Sequence, residues 1–448
     1  MKKEDQSYLF LILLHVFIGF LAYVLPFTSK IYGYFIYFFL ILFIIKKQNK
    51  NHEALIAAAY VVGSEVFLRM THGNPLYEIS KYGVIIFLLI GMYFSGFSKG
   101  ATPYWIFLLL LVPSVILSTF VLDFGTDIRK TIAFNISGPV CLGIASIYTF
   151  RRKISFEQMN NIILSMGLPI ITCAVYLIFY TEDIREVITG TGSNSETSGG
   201  YGPNQVATAL GLGMFIFFSR VILESKNKIL VAINLIIALN ITYRGMLTFS
   251  RGGMITGFLM IVLLLLLLYF KSNYRGKVKL NYIVVMVLLA MMATWGYTSY
   301  QTGGLIDKRY ANQDAAGRVK KSKFTGREEI AQSEINMFLK NPIFGVGVGK
   351  GTEVRLVETG ISALSHDEVT RMMAEHGSLG ILALLILLFT PLVLYLENKF
   401  NMFLICFVLF WLLTINHAAM RTAAPAFVYS LSLLNVQLGS PNRVKKDE

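Results

Sequence analysis

Residues 252–270 read GGMITGFLMIVLLLLLLYF, a run that contains no charged side chain. An α-helix of this length rises far enough to cross the ~30 Å hydrocarbon core of a bilayer. Similar runs recur along the chain, in which 55% of the 448 residues are hydrophobic and the mean hydropathy is +0.60. The sequence therefore predicts an all-α, polytopic membrane protein.

The apolar runs set the expected number of transmembrane helices, which is about 12–14. The runs cover residues 7–26, 31–47, 53–70, 79–97, 104–122, 131–150, 159–180, 203–222, 228–247, 252–270, 280–299, 377–397, 401–416 and 422–438. The first run follows two lysines but offers no small-residue cleavage pattern, so we expect it to be retained as a membrane anchor.

Clusters of lysine and arginine in the short loops predict the orientation of these helices. If each apolar run crosses the membrane once, the clusters all lie on the same side of the membrane. They are Lys2 and Lys3; Lys46, Lys47 and Lys50; Arg151, Arg152 and Lys153; Lys226 and Lys228; Lys271, Arg275, Lys277 and Lys279; Arg443, Lys445 and Lys446. Positive loops stay in the cytoplasm, so both termini are expected there.

Two loops on the opposite side are longer than the rest, at 181–202 and about 300–376. Apolar residues between Glu328 and Leu339 recur at partly helical spacing, which predicts short amphipathic helices capping the membrane surface. The expected organisation is transmembrane helices 1–11 in residues 1–299 and a large periplasmic loop with cap helices in 300–376. Residues 377–448 would form the C-terminal transmembrane helices and a cytoplasmic tail.

Charge and cysteine usage exclude several classes of partner. The net charge of +14 is mostly carried by the cytoplasmic loops, where it serves topology and anionic lipids, so no nucleic acid is expected. The three cysteines lie in apolar runs, which argues against a disulfide or a thiolate metal site. Asp123 and Asp127 form a carboxylate pair, but neighbouring Arg129 and Lys130 satisfy them more simply than a metal would. We expect no metal and no cofactor.

The clearest indication of chemistry is residues 365–380, SHDEVTRMMAEHGSLG, which lead into an apolar run. Ser365 and Glu368 have capping-box spacing, which predicts a helix that starts at Ser365 and places His366 at its positive end. That environment disfavours the imidazolium form, so His366 is expected to stay neutral and able to accept a proton. Gly377 and Gly380 would allow a neighbouring helix to approach. The alternative is that His366 is an ordinary polar residue at the membrane interface.

Two arginines, Arg244 and Arg251, lie seven residues apart where one apolar run passes into the next. If this segment were helical, both guanidinium groups would lie on one face, about 10 Å apart. Arginine matches phosphate oxygens in a bidentate manner, so the pair predicts an anionic ligand. The alternative is an arginine that snorkels at a helix end, and it fits Arg244 better than Arg251.

Several short motifs occur together in a specific order: Gly202-Pro203-Asn204-Gln205, Ser250-Arg251-Gly252-Gly253, Thr325-Gly326-Arg327, Asn341-Pro342 with Gly345-x-Gly347-x-Gly349, and His366-x10-Gly377-x-x-Gly380. In this combination the chain resembles the O-antigen ligase and O-antigen polymerase superfamily of bacterial envelope glycosyltransferases. The resemblance implies a GT-C-type enzyme of the bacterial cytoplasmic (inner) membrane that acts on the periplasmic face.

The resemblance also implies roles for individual residues. It places the catalytic functions on His366, Arg251 and Arg327. Substrate contacts are expected from Arg244, Asn204, Arg371, Asp367 and Thr325. Asp367 departs from the family, in which Asn, Ser or Gln often follows the histidine, so it either orients the ring or reflects a different acceptor.

The implied reaction takes a glycan from undecaprenyl diphosphate to an acceptor hydroxyl, with inversion and without a sugar nucleotide. The acceptor would be lipid A core, as for a ligase, or another lipid-linked repeat, as for a polymerase. Membrane lipids and envelope polysaccharide assembly proteins are further expected partners. The rival hypothesis is a flippase or transporter of lipid-linked glycans, but such proteins commonly show internal repeats that this sequence lacks. A structural partner of an envelope machine would leave the histidine and arginines unexplained.

Overall fold

The computed structural model describes residues 3–181, 183–320, 327–360, 363–398 and 400–437. The helices formed there are α1 Lys3–Val24, α2 Phe27–Lys47, α3 Glu53–Met70, α4 Ile79–Ser95, α5 Thr102–Val121, α6 Ile128–Thr149, α7 Phe156–Tyr180, α8 Ile184–Val187, α9 Pro203–Leu223, α10 Lys228–Leu247, α11 Arg251–Lys271, α12 Tyr274–Gln301, α13 Leu305–Tyr310, α14 Arg327–Lys340, α15 Lys350–Thr359, α16 Glu368–Glu397, α17 Leu404–Ile415 and α18 Ala424–Leu431. A 3₁₀ turn spans Glu196–Ser198, and strands β1 (Lys153–Ser155) and β2 (Asn435–Gln437) pair in parallel.

Ten of the helices within these ranges are long and apolar enough to cross a membrane. Two shorter apolar helices, Ile79–Ser95 and Leu404–Ile415, accompany them. The prediction of an all-α polytopic membrane protein is therefore confirmed. The last expected span, 422–438, differs in its described part, because residues 422–437 contain the short helix α18 and then strand β2.

The chain divides into two compact units. The first comprises Met1–Lys46, Leu55–Ile79 and Glu157–Lys321. Helix α9 is its central element, because 83% of its apolar stretch is buried. In α12 only 6% of the apolar stretch is buried. A Cβ at Gly211 of α9 would lie 2.1 Å from the carbonyl oxygen of Gly253, so α9 and α11 pack backbone to backbone. This contact fixes the start of α11, the helix that begins with Arg251.

The second unit comprises Lys47–Ala54, Ser80–Phe156 and Ser322–Glu448. Helix α16 packs against α5 and α14, and α18 packs against α6. Residues 300–376 include the short helices α13, α14 and α15, and α14 and α15 belong to this unit. A periplasmic cap stays a prediction. On α14 the buried face includes Ile330 and Met337, while Leu339 of the predicted apolar set is 67% exposed.

Candidate active site

Helix α16 is broken at Gly377, where the backbone adopts φ +62° and ψ −141°. Only glycine adopts this conformation readily because it has no Cβ. The break leaves two carbonyl groups of the preceding turn available to the glycine-rich segment: Val346 N donates to Ala374 O at 2.9 Å, and Gly347 N donates to Glu375 O at 3.2 Å. The glycine motif after α14 therefore anchors the first half of α16, residues 368–376.

Glu334 of α14 holds both sides of the turn that carries His366. Its Oε1 accepts from Arg355 Nη2 at 2.7 Å, and its Oε2 accepts from Ser365 Oγ at 3.2 Å and from Thr370 Oγ1 at 2.6 Å. The side chains of Glu334 and Arg355 are each only 2% exposed, and burial raises the pKa of the Glu334 carboxyl. One buried carboxylate thus ties α14 and α15 to residues before and after the histidine.

A second buried ion-pair group stabilises the same half-helix. Arg371 pairs with Glu368 and, at 2.9 Å, with Glu375. Glu375 in turn accepts from Gly349 N at 2.9 Å, and Glu368 accepts from Met420 N at 3.3 Å. The expected contact between Arg371 and Glu375 is present. The guanidinium of Arg371 thus neutralises two buried carboxylates. The substrate contact predicted for Arg371 stays a prediction.

The start of α16 differs from the capping-box prediction. Asp367, rather than Ser365, is the N-cap, and its Oδ1 accepts from Val369 N at 2.8 Å and from Thr370 N at 3.4 Å. Ser365 Oγ instead donates to Asp367 O at 2.9 Å as well as to the buried carboxylate described above. His366 therefore lies just before the N-cap, still next to the positive end of the helix.

Two arginines approach the imidazole of His366 within the second unit. Burial, followed by the positive charges of Arg327 and Arg421, lowers the pKa of His366 to about 4. Arg421 Nη2 also donates to Ser365 O at 2.8 Å, and Ala419 N donates to His366 O at 3.1 Å. The ring is thus held neutral at pH 7 by burial and by the two arginine charges, whereas the sequence predicts neutrality from the helix end.

The turn after α17 is the part of this site that sequence reasoning did not assign. It brings Arg421 over the ring of Phe134, with 4.8 Å between the guanidinium carbon and the ring centroid. His417 lies in the same turn, and its pKa is lowered to about 4, mainly by burial. The sequence signal was the polar segment Asn416-His417-x-x-Met420-Arg421 between two apolar runs, but nothing local indicated which loop it would meet.

In the first unit, Arg244 and Arg251 do not share one helical face, because the segment between them is not a continuous helix. Helix α10 ends at Leu247 and α11 begins at Arg251, with Phe249 in the left-handed region at φ +55°. Arg244 is buried and lies 5.5 Å from the ring centroid of Tyr243. Its environment fits the alternative of an arginine at a helix end.

Arg251 and Asn204, both predicted site residues, meet at this junction. Asn204 Oδ1 accepts from Ser250 Oγ at 2.8 Å, which links the start of α9 to the N-cap of α11. Arg251 Nη1 donates to Arg309 O at 3.4 Å, while Arg309 Nε donates to Phe249 O at 2.8 Å. Arg251, Arg309 and Asn204 thus lie around one polar junction, and Arg309 was not among the predicted site residues.

Of the other predicted residues, Thr325 lies outside the described residues. Asp123 is held by Lys350 at 2.8 Å, which lowers the pKa of the Asp123 carboxyl, and Asp127 caps α6 by accepting from Lys130 N at 3.1 Å. Across the described ranges, no group of three or more His, Cys, Asp or Glu side chains is arranged to hold a metal ion.

Comparison with known proteins identifies one family. Residues 233–385 match the family model described as O-antigen ligase. No curated protein matches the chain significantly. The family match includes His366, Arg327, Arg251 and Arg244 and confirms the resemblance to the O-antigen ligase and polymerase superfamily. Together with the ten apolar helices, it indicates a multi-pass bacterial membrane protein with glycosyltransferase-type activity.

Proposed function

Because residues 233–385 carry an O-antigen ligase domain, we propose that this protein transfers an oligosaccharide or polysaccharide from undecaprenyl diphosphate to an acceptor hydroxyl. The observation that carries the proposal is the neutral, half-buried imidazole of His366 beside Arg327 and Arg421, within reach of their charges. A neutral base beside cations is the combination that glycosyl transfer from a diphosphate requires.

His366 is the proposed general base. A sugar or lipid hydroxyl is a weak nucleophile, and a neutral imidazole can accept its proton as the oxygen attacks the anomeric carbon. Attack from the face opposite the diphosphate inverts the configuration at that carbon. A pKa near 4 makes His366 a weak base but keeps it deprotonated at every physiological pH.

The diphosphate leaving group gains negative charge as the glycosidic bond breaks, so it needs electrostatic stabilisation more than protonation. In the second unit Arg327 is the proposed phosphate ligand beside His366. In the first unit the family resemblance implies the same role for Arg251, and Asn204 supports the start of the helix that carries it. Positively charged guanidinium groups bind phosphate oxygens in a bidentate manner. Arg421 is a further cation beside the base.

The proposed reaction takes place on the periplasmic face of the cytoplasmic membrane, with both termini in the cytoplasm and a GT-C-type mechanism. The distribution of lysine and arginine in the loops supports this orientation. A donor already linked to a membrane lipid suits a site at the membrane surface, because sugar nucleotides remain in the cytoplasm.

The test uses the purified full-length chain in lipid nanodiscs with labelled undecaprenyl-diphosphate glycan and each candidate acceptor. His366→Asn should abolish transfer, since amide nitrogen is not a base. His52→Asn is the matched control, because burial also lowers the pKa of His52 to about 4 but no role is proposed for it. Wild-type turnover by His366→Asn would remove the proposed base. Multimers formed without lipid A core would exclude a pure ligase.

A further inference from the structure

A polar cavity lies entirely within the first unit. It encloses about 290 Å³ where the ends of α3 and α7 meet the loop after the 3₁₀ turn. Its wall includes Arg69, Tyr176, Tyr180 and Tyr201, and we refer to it as the tyrosine pocket. Known ligand pockets span ~300–1,000 Å³, so this volume suits a small unit such as one or two sugar rings.

The positive charge of Arg69 in the tyrosine pocket is already offset by two carboxylates. Arg69 pairs with Glu65 at 2.7 Å and approaches Glu78 at 3.8 Å, and the side chains of Arg69 and Glu65 are each 1% exposed. Two carboxylates around one guanidinium leave no excess positive charge for a phosphate. An anionic ligand is therefore disfavoured here, whereas a neutral ligand meets no charge repulsion.

The pocket nevertheless offers polar contacts. Arg69 Nη1 donates to the Tyr201 hydroxyl at 3.2 Å, and Arg69 Nε is buried without a hydrogen-bond partner in the described part of the chain. With its side chain 1% exposed, Arg69 is covered by its neighbours, so the hydroxyls of the lining residues Tyr176, Tyr180 and Tyr201 are the groups that can hydrogen-bond a hydroxyl-bearing ligand. The rings of Tyr176 and Tyr180, with centroids 5.7 Å apart, add aromatic surface against which the C–H face of a sugar can pack.

The loop that forms one wall of the pocket also contacts the helix junction that carries Arg251. Thr197 Oγ1 donates to Leu247 O at 2.5 Å, and Asn194 N donates to Thr248 O at 3.0 Å. At the pocket end of the same loop, Gly199 has φ +67°, and a Cβ there would lie 2.3 Å from Met70 Sδ. The loop is therefore fixed at both ends.

From this geometry we infer that the tyrosine pocket binds a neutral sugar unit of the glycan that the enzyme acts on, at a distance from the bond that reacts. The inference rests on the proposed function for the identity of the glycan. The sugar belongs to the donor chain or to the acceptor chain, and the kinetic constants for each substrate distinguish these two sources.

The kinetic test is Tyr180→Ala, measured in the nanodisc transfer assay. Loss of one packed ring should raise KM for the glycan that occupies the pocket about three- to tenfold, with kcat retained. A rise for the donor alone or for the acceptor alone assigns the source of the sugar. Tyr34→Ala is the matched control, because Tyr34 belongs to the same unit but is 63% exposed and outside the pocket. Unchanged KM values for both substrates in Tyr180→Ala would overturn the inference.

A second test does not depend on turnover. Thr71, which lines the pocket, is replaced by Cys and labelled with a maleimide, while native Cys141, Cys173 and Cys406 are all buried and react slowly. Labelling should slow in the presence of undecaprenyl-diphosphate glycan or the glycan acceptor and remain unchanged with inorganic pyrophosphate. Protection by pyrophosphate, or by neither glycan, would contradict a neutral sugar site. If the wild-type chain lacks transferase activity, the proposed function fails while this assay still tests the pocket.

Discussion

The pH dependence of turnover is the sharpest consequence of the environment of His366. The neutral imidazole is the active form of a general base, so kcat/KM should fall at low pH with the pKa of His366 in the free enzyme. With a pKa of about 4, about 97% of the imidazole is neutral at pH 5.5, whereas a solvent-exposed histidine of pKa ~6.5 would be only about 9% neutral. The structure therefore predicts that kcat/KM at pH 5.5 stays near its plateau value, whereas an enzyme with an unperturbed histidine would retain only about a tenth of its own plateau.

The perturbation that tests the cause is Arg421→Met, which removes a positive charge while keeping an apolar chain of similar length. Removing the cation favours the imidazolium form, so the acid limb of the kcat/KM profile should move to higher pH. Burial is the larger cause of the low pKa, so the limb should stay below that of a free histidine. Arg421→Lys is the control, since it keeps the charge and should leave the limb in place even if the hydrogen bond to Ser365 O is lost.

The assay is initial-rate transfer in nanodiscs between pH 4 and 8, with the folded fraction checked by size-exclusion chromatography at each pH. A wild-type acid limb near pH 6.5 would refute the reasoning, because the imidazole would then be neither buried nor adjacent to cations during catalysis. Identical profiles for wild type and Arg421→Met would refute the role of Arg421 alone.

Two further predictions concern the framework that holds the histidine turn. Glu334→Ala leaves buried Arg355 without its carboxylate, so it should lower stability by about 3–5 kcal/mol, whereas Glu358→Ala breaks an exposed pair and should cost at most about 1 kcal/mol. Thermal unfolding of both variants in detergent measures this difference, and equal midpoints would contradict it. Gly377→Ala should abolish transfer because its Cβ would lie 2.5 Å from a carbonyl oxygen, whereas Gly296→Ala, with nothing within 4 Å, should match wild type in turnover. Normal turnover by Gly377→Ala would show that the break in α16 is dispensable.

Most of the fold could be predicted because apolar runs of membrane length have few alternatives to a transmembrane helix. The run at 53–70 corresponds to α3, and the run at 252–270 corresponds to α11. Residues 422–438 were the exception. Their apolar character reflects burial of α18 against α6 and α17, rather than a crossing of the bilayer by a helix of its own.

Local signals at the site were harder to interpret because two residues competed for one role. Ser365 and Asp367 are both good N-cap residues, and sequence spacing alone favoured Ser365 through the capping-box pattern. The structure uses Asp367, because the hydroxyl of Ser365 is engaged by Glu334, 31 residues earlier in the chain. In the other unit, Phe249 has a positive φ and interrupts the helix between Arg244 and Arg251. Phenylalanine rarely adopts a positive φ, so the sequence did not predict this interruption.

Hydrogen bonds from residues distant in the sequence hold the turn that carries His366, and no short motif contains those residues. Glu334 contacts side chains before and after His366, so the position of the ring is set by α14 as much as by its own helix. Arg421 reaches the same turn from 56 residues later in the chain and adds a charge that favours the neutral base. Arg421 holds the turn and also lowers the pKa of His366, so the imidazole is a weaker base but is neutral over a wider pH range. A weaker base suffices where the leaving group is a diphosphate, because bond breaking then requires little help from the attacking oxygen.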